Sequence, residues 1–361
     1  MSRASSVSDR VWSAEDTTPG AIEAALRKLL EERHGDGRVS APARVLNLVA
    51  VVDCAWRGEI ATRLERVGRN HPSRTVVCSV EPGRRTIDAW TSMECELRGG
   101  PGAIGICREH VEVDVGEEHL GRLASIVDPL LVSDLATVVW APHGHSQAVD
   151  ALLGLAQVVL IDSGTDPDPV AAAERSRELV ADAYVVDLAW LRTTPWRERI
   201  AASFNPPALR RTLAEISSLT IEHAPASAVS ALLLAGWLAS RLGWDARPLT
   251  TDRAGARAGV ATAGRGEVAI RLSPTAGQDV PGLAAVTIET ASGASLSLRR
   301  ASGGLAAVRR TPAGHESSFV VLGASRGESG ILGEGIRQAL LRDPAAEPAR
   351  AAAATMVCAT A

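Results

Sequence analysis

Lysine is nearly absent. Lys28 is the only one among 38 basic residues, so Schiff-base chemistry or a phosphate-cradling lysine would have to use a residue in a polar, amphipathic amino-terminal helix. Cysteine is sparse as well. Cys54, Cys78, Cys95, Cys107 and Cys358 form no C-x-x-C and hold no metal-ligand spacing with histidine, which leaves neither a zinc site nor a disulfide framework to expect. No sign of charge prevails. The formal net charge is −4 with acids and bases interspersed, so the chain lacks the field that would hold nucleic acid or an anionic membrane. The first residues are polar and lack an apolar signal segment, and no apolar run reads as long enough to span a bilayer. A cytoplasmic chain with free thiols is the expectation.

Nucleotide-binding glycine motifs are also missing where they would matter. Pro101-Gly102-Ala103-Ile104-Gly105 does not carry the G-x-G-x-x-G fingerprint between a strand and a helix, and the G-x-x-x-x-G-K-[ST] loop is absent. A Rossmann-bound nicotinamide cofactor is therefore unsupported, and no cofactor or metal is expected. Ser163, before Gly164, does not sit in a nucleophile elbow.

The length calls for two domains. After a flexible arm over 1–19, apolar residues at helical spacing predict a helix from Ala21 to Arg33. Arg44 to Val52 is a continuous apolar run suited to a strand covered on both faces. A helix over Glu59–Val67, a turn over Gly68–Arg74 and a strand over Thr75–Val80 complete a β-α-β unit. Strands at Trp90–Leu97 and Ala103–Val113 flank a turn cluster, which predicts a hairpin with Cys95 opposite Cys107. That pair could respond to oxidants or be two small buried residues. Helices at Glu117–Val127, Ser146–Leu155 and Asp168–Asp182 alternate with strands at Thr137–Trp140 and Val158–Asp162. The pattern predicts an α/β fold, a Rossmann-like doubly wound mixed sheet over 20–206.

Residues 207–343 read as a smaller α+β domain. A strand over Leu213–His223 and a strongly apolar helix over Ala226–Leu242, stopped by Gly243, precede short runs that suggest an antiparallel meander, then a helix over Gly330–Leu341. The Ala-Pro-Glu-rich segment 344–361 reads as a loose tail.

The costliest residues gather in one stretch, Asp187 to Ile200. Thr194 and Pro195 form a capping signal that predicts a helix beginning at Pro195, with Trp196, Ile200 and Phe204 along one face. Trp190, Arg192, Trp196 and Arg197 are then either packed where two domains meet or a protein-binding surface, for which tryptophan and arginine are the favoured types. A second candidate is the turn at His71-Pro72-Ser73-Arg74, which could hold a phosphate or simply be a turn whose arginine pairs with a carboxylate. His143 and His145 follow the strand ending at Trp140 and, with Asp53-Cys54 and Asp162-Ser163-Gly164, could face a doubly wound crevice. Two histidines without a third ligand favour a loop over a metal site.

Several segments together resemble the bacterial glucose-6-phosphate dehydrogenase assembly protein OpcA family. They are Arg44-Val-Leu-Asn-Leu-Val49, His71-Pro-Ser-Arg74, Asp128-Pro-Leu-Leu-Val-Ser-Asp-Leu135 with Val138-Val-Trp140, Asp187-Leu-Ala-Trp190 with Thr194-Pro-Trp-Arg197, and Leu233 through Trp244. The resemblance implies a non-catalytic partner of glucose-6-phosphate dehydrogenase that promotes the active oligomer of this NADP-dependent enzyme of the pentose phosphate pathway. It implies no catalytic residues. Two rivals stay open at this point: a Rossmann-like sugar-phosphate or nucleotide-dependent enzyme, and a metabolite sensor.

Overall fold

A computed structural model of the chain describes residues 10–35, 44–68, 71–97, 105–264, 266–278, 280–322 and 327–357. Two compact units emerge, one from Met1–Ile161 with Leu179–Val186, the other from Asp162–Glu178 with Asp187–Ala361.

In the first unit the strands are β1 (Arg10–Ala14), β2 (Leu46–Asp53), β3 (Ser73–Val80), β4 (Asp88–Leu97), β5 (Gly105–Val115), β6 (Thr137–Trp140), β7 (Val158–Ile161) and β8 (Tyr184–Asp187). They lie in the order β1-β4-β5-β3-β2-β6-β7-β8. From β5 through β3, β2 and β6 to β7 the pairings are parallel, while β4 and β1 add antiparallel edges. Helices α1 (Pro19–Gly35), α2 (Arg57–Gly68), α3 (Leu123–Val127) and α4 (Ser146–Leu152) punctuate these strands, while α5 (Pro169–Val180), between β7 and β8 in the chain, falls almost wholly in the second unit. This is the expected doubly wound mixed sheet. The apolar run of β2 is central for the reason its sequence suggests: every residue from Leu46 to Val52 is buried, which only a strand covered on both faces achieves. Its one amide, Asn47, is satisfied by donating to the Val132 carbonyl (2.9 Å) and accepting from the Val132 N–H (3.0 Å), so it fastens the loop before β6.

The second unit carries α6 (Leu188–Arg192), α7 (Thr194–Ser203), α8 (Pro207–Arg210), α9 (Ala228–Leu242), α10 (Gly327–Leu340) and α11 (Ala346–Val357). Its strands are β9 (Ile216–His223), β10 (Thr250–Thr251), β11 (Arg257–Ala263), β12 (Gly266–Pro274), β13 (Leu283–Thr290), β14 (Ser295–Ala301), β15 (Gly304–Arg310) and β16 (Glu316–Leu322). The sheet order is β10-β11-β12-β9-β13-β14-β15-β16. Strands β13 to β16 form the expected antiparallel meander. Against it, β9 pairs with β12 in parallel, because the chain leaves β9 through α9 and returns on the other side.

Several expectations are corrected. The boundary at 206 gives way to a chain crossing near 161–187, since α6 packs on α9 and α10 and the Trp-Arg stretch joins the second unit. That unit is consequently not the smaller one. Part of the supposed arm is β1, paired with β4, and residues 1–9 lie outside those described. Within the supposed tail, α11 lies on α9, where Gly236 leaves room for it: a Cβ there would stand 2.3 Å from the Ala349 carbonyl oxygen and 2.8 Å from Ala353 N. The segment reads as loose because its alanines lack apolar bulk, yet small residues are what let two helix backbones approach. The helix expected at Glu117–Val127 is a 3-10 turn over Glu117–Arg122 followed by α3. With its lead-in turn, α9 does reach a span and hydropathy that could cross a bilayer, but more than half of that stretch, Pro225–Leu242, is buried inside the unit.

Candidate functional site

The Trp-Arg corner starts from a buried acid. Asp187 caps α6 by accepting from the N–H of Ala189 (2.9 Å), and it also accepts from the N–H of Ser163 (3.2 Å) and from the Ser163 hydroxyl. Burial raises its pKa above the ordinary aspartate value, against the opposing pull of these donors. The chain breaks between α6 and α7 because Pro195 has no N–H to continue the ladder. The helix opens at Thr194 rather than at Pro195, and Thr194 does not cap it. The Thr193 hydroxyl turns back to donate to the Trp190 carbonyl at 2.7 Å, and both threonine hydroxyls accept from Arg197, at 3.0 and 2.9 Å.

Arg197 lies over the face of Trp190, its guanidinium carbon 3.5 Å from the ring centroid. Asp343 accepts from the Trp190 indole N–H at 3.0 Å and pairs with Arg197 at 3.5 Å. Burial pushes the Arg197 pKa down to about 10, with Asp343 working the other way. Arg192 is fully engaged, bidentate to Asp162 (2.7 and 2.6 Å) and to Glu328 (3.1 and 2.7 Å). Burial acts to lower its pKa, and the two carboxylates outweigh that and hold it charged.

The four residues singled out by sequence are thus brought together, but as an interior. Trp190 is 2% exposed and Trp196 1%. Neither ring offers a surface, so of the two readings left open by the sequence the tryptophans follow the packed one. What the corner does is hold other elements. Arg192 grips Glu328 at the start of α10, and Trp190 with Arg197 grips Asp343 just past its end. Between those grips stand Leu340 and Leu341, 47% and 59% exposed. Sequence periodicity assigns these leucines to a helix face and gives no sign that nothing covers them.

The turn at 71–74 follows the second of its two readings, with its arginine paired to a carboxylate. Ser73 and Arg74 are already the buried first residues of β3. Arg74 donates to Glu109 (2.7 Å) and to the Leu130 carbonyl (3.0 Å), and Arg44 pairs with the same glutamate. With its guanidinium committed inside and the Ser73 hydroxyl 3.2 Å from Thr75 Oγ1, what remains is a turn closed by the His71 N–H on the Val67 carbonyl.

At the carboxyl ends of β2 and β6, the adjacent parallel strands where the strand order reverses, Asp53, His143 and His145 converge. The Asp53 N–H donates to His143 Nδ1 (3.2 Å), and His145 Nε2 stands 2.8 Å from an Asp53 carboxylate oxygen without the alignment of a hydrogen bond. Burial first, and His145 as well, lower the His143 pKa, which Asp53 opposes. A neutral imidazole accepting at Nδ1 fits that direction. Among the described residues no group of three His, Cys, Asp or Glu is placed to hold a metal. Cys95 and Cys107 are register partners in the β4–β5 hairpin, as the spacing implies. Cys78 is buried with its thiol pushed up to about 12, and Cys54 is exposed.

Comparison with known proteins supplies what geometry alone does not. Residues 64–178 match the family model described as the glucose-6-phosphate dehydrogenase subunit N-terminal domain, and residues 183–349 match the one described as its C-terminal domain. The chain belongs to the OpcA family. Relatives named as OxPP cycle protein OpcA come from Synechococcus elongatus, 31% identical over 194 residues, and Nostoc punctiforme, 30% identical over 163. A third, from Synechocystis, is 25% identical over 225 residues. These matches cover 52%, 44% and 61% of this chain and 43%, 35% and 46% of the respective relatives. The chain therefore spans less than half the length of the curated relatives it matches. Among solved structures, an oxidoreductase from Sinorhizobium meliloti overlays 86% of this chain and 95% of its own, at 11% identity and a TM-score of 0.46. So loose a likeness transfers no function. The join between the two family matches, at 178–183, also precedes the boundary expected at 206.

Proposed function

We propose that this OpcA-family chain is a non-catalytic cytoplasmic partner of glucose-6-phosphate dehydrogenase that binds the enzyme and favours its competent oligomer, raising flux through the oxidative pentose phosphate pathway. The observation that carries the reading is that both halves of the chain match domains described as belonging to a glucose-6-phosphate dehydrogenase subunit. Such a partner works only by binding the enzyme's competent state better than the other. A coupling of about 1–3 kcal/mol is typical, and linkage then requires substrate to tighten the complex by the same factor.

On this reading Trp190, Arg192, Trp196 and Arg197 are supports. They fix the ends of α10 so that Leu340 and Leu341, exposed beside the Asp343 anchor, meet the dehydrogenase. The test is co-elution of the purified chain with the dehydrogenase of the same cell on a sizing column. Wild type is expected to shift with the enzyme, and the double variant Leu340→Asp, Leu341→Asp to lose at least tenfold in affinity while keeping its melting temperature. No complex with wild type would end the proposal. An undiminished complex with the double variant would remove the leucines from it.

A further inference from the structure

A cavity of about 120 Å³ opens in the second unit between Trp196, Val280, Arg300, Leu305 and Ile331, with Arg192 and Glu328 also in its lining. Its chemistry is set by one cation out of place. On β14 the side chains of Leu296, Leu298 and Arg300 fall on the same face, and both leucines are buried. Arg300 continues that apolar row with a half-buried guanidinium. Its Nε and Nη2 both donate to one acceptor, the Leu283 carbonyl, at 3.2 and 3.1 Å. A guanidinium carries five N–H groups, and the rest have no partner among the described residues. No carboxylate among those residues lies in salt-bridge range of it. Arg192 differs in kind, since its charge is taken up by Asp162 and Glu328.

The backbone is shaped to seat this group. Gly282 holds φ at +107°, a conformation that favours glycine, and a Cβ there would begin 3.4 Å from Arg300 Nη2. Gly282 is itself pinned, its N–H donating to the Ser227 hydroxyl at 2.8 Å. Burial lowers the Arg300 pKa, as holds for a cation with no counter-charge among the described residues. A half-buried, uncompensated guanidinium costs free energy unless an anion completes it. Arginine's fork matches the paired oxygens of a phosphate or carboxylate.

We propose that this cavity is a binding site for a small metabolite oxyanion, a phosphate or a carboxylate, received by Arg300, with the apolar walls accepting the body of the molecule. The site does not depend on association with the dehydrogenase, and its test uses this chain alone. Inorganic phosphate, glucose 6-phosphate and citrate are titrated separately into the full chain by calorimetry and thermal shift, with ionic strength held constant by potassium chloride. At least one is expected to bind saturably. Arg300→Gln should weaken that binding at least tenfold, and Glu328→Gln, which removes a negative charge from the lining while Arg192 keeps Asp162, should tighten it severalfold. Arg271→Gln, at an exposed position of β12, should leave it unchanged. Whichever anion binds best identifies the source: phosphate alone, a phosphorylated sugar, or a carboxylic acid. Saturable binding by none of the three would overturn the proposal, as would affinities unmoved by both Arg300→Gln and Glu328→Gln. The Glu328 variant decides the matter if the Arg300 variant fails to fold.

Discussion

Asp343→Ala is the sharpest probe of how the Trp-Arg corner is held. The carboxylate accepts the Trp190 indole N–H at 3.0 Å, pairs with Arg197 at 3.5 Å and receives the Ala345 N–H at 2.9 Å ahead of α11. Its removal leaves a buried indole donor unpaired, which costs about 1–3 kcal/mol. It also strips the counter-charge from a guanidinium that is 11% exposed in its side chain. Breaking a fully buried pair costs roughly 3–5 kcal/mol and a surface pair about 0–1. Because Arg197 keeps two threonine acceptors and the Trp190 ring, the lower part of that range applies. The total is about 3 kcal/mol, or roughly 6–12 °C in melting temperature for a unit of this size. Asp343→Asn retains an acceptor and should lose about half as much. Combined with Arg197→Met in a double-mutant cycle read by urea denaturation, the Asp343→Ala loss should shrink by at least 1 kcal/mol or so, since the two share one interaction. A loss for Asp343→Ala below about 0.5 kcal/mol, or strict additivity, would show that the corner is not held by this acid.

Asp187, with its pKa raised by burial, stabilises the fold fully at pH below its unfolded value, and that contribution fades as pH rises through the folded value. Relative to wild type, Asp187→Asn should therefore be more favourable at pH 7 than at pH 4, and equal urea-midpoint differences at both would contradict the assignment. His143, lowered chiefly by burial, gives a contribution present above its ordinary value of 6.5 and lost as pH falls below it. Its ring should titrate below 6.5 by NMR, and lower still in Asp53→Ala; a midpoint at or above 6.5 would refute the described packing. Gly236→Ala should cost about 1–3 kcal/mol and speed amide exchange across α11, because the new methyl meets backbone rather than a yielding side chain. Unchanged exchange from Ala346 to Val357 would mean α11 does not rest on α9.

Much of the fold was legible because the decisive signals are local. The burial of β2 is written in a run of seven apolar or amide residues, and the hairpin register follows from the residue count between Cys95 and Cys107. What escaped was set by distant partners. The sequence offered Arg74 either a phosphate or a carboxylate partner, and could not choose because Glu109, which takes it, lies 35 residues away. Whether the tryptophans were packed or a surface stayed open because Asp343, more than 140 residues on, supplies the acceptor for the Trp190 indole. In β11 the Arg-Ala-Gly-Val-Ala-Thr-Ala pattern lacks the aliphatic alternation of a strand; it is one because β12 pairs along its whole length. The Arg300 cavity was invisible for the same reason, since only the folded sheet shows an arginine in a row of leucines.

The central claim is that this chain acts by binding glucose-6-phosphate dehydrogenase. The most direct measurement is the glucose 6-phosphate dependence of that enzyme, purified from the same cell, with increasing amounts of this chain. A saturable gain in apparent substrate affinity is expected, severalfold at full occupancy, with no turnover by the chain on its own. Identical enzyme kinetics at every concentration of the chain, or turnover of glucose 6-phosphate and NADP by the chain alone, would contradict it.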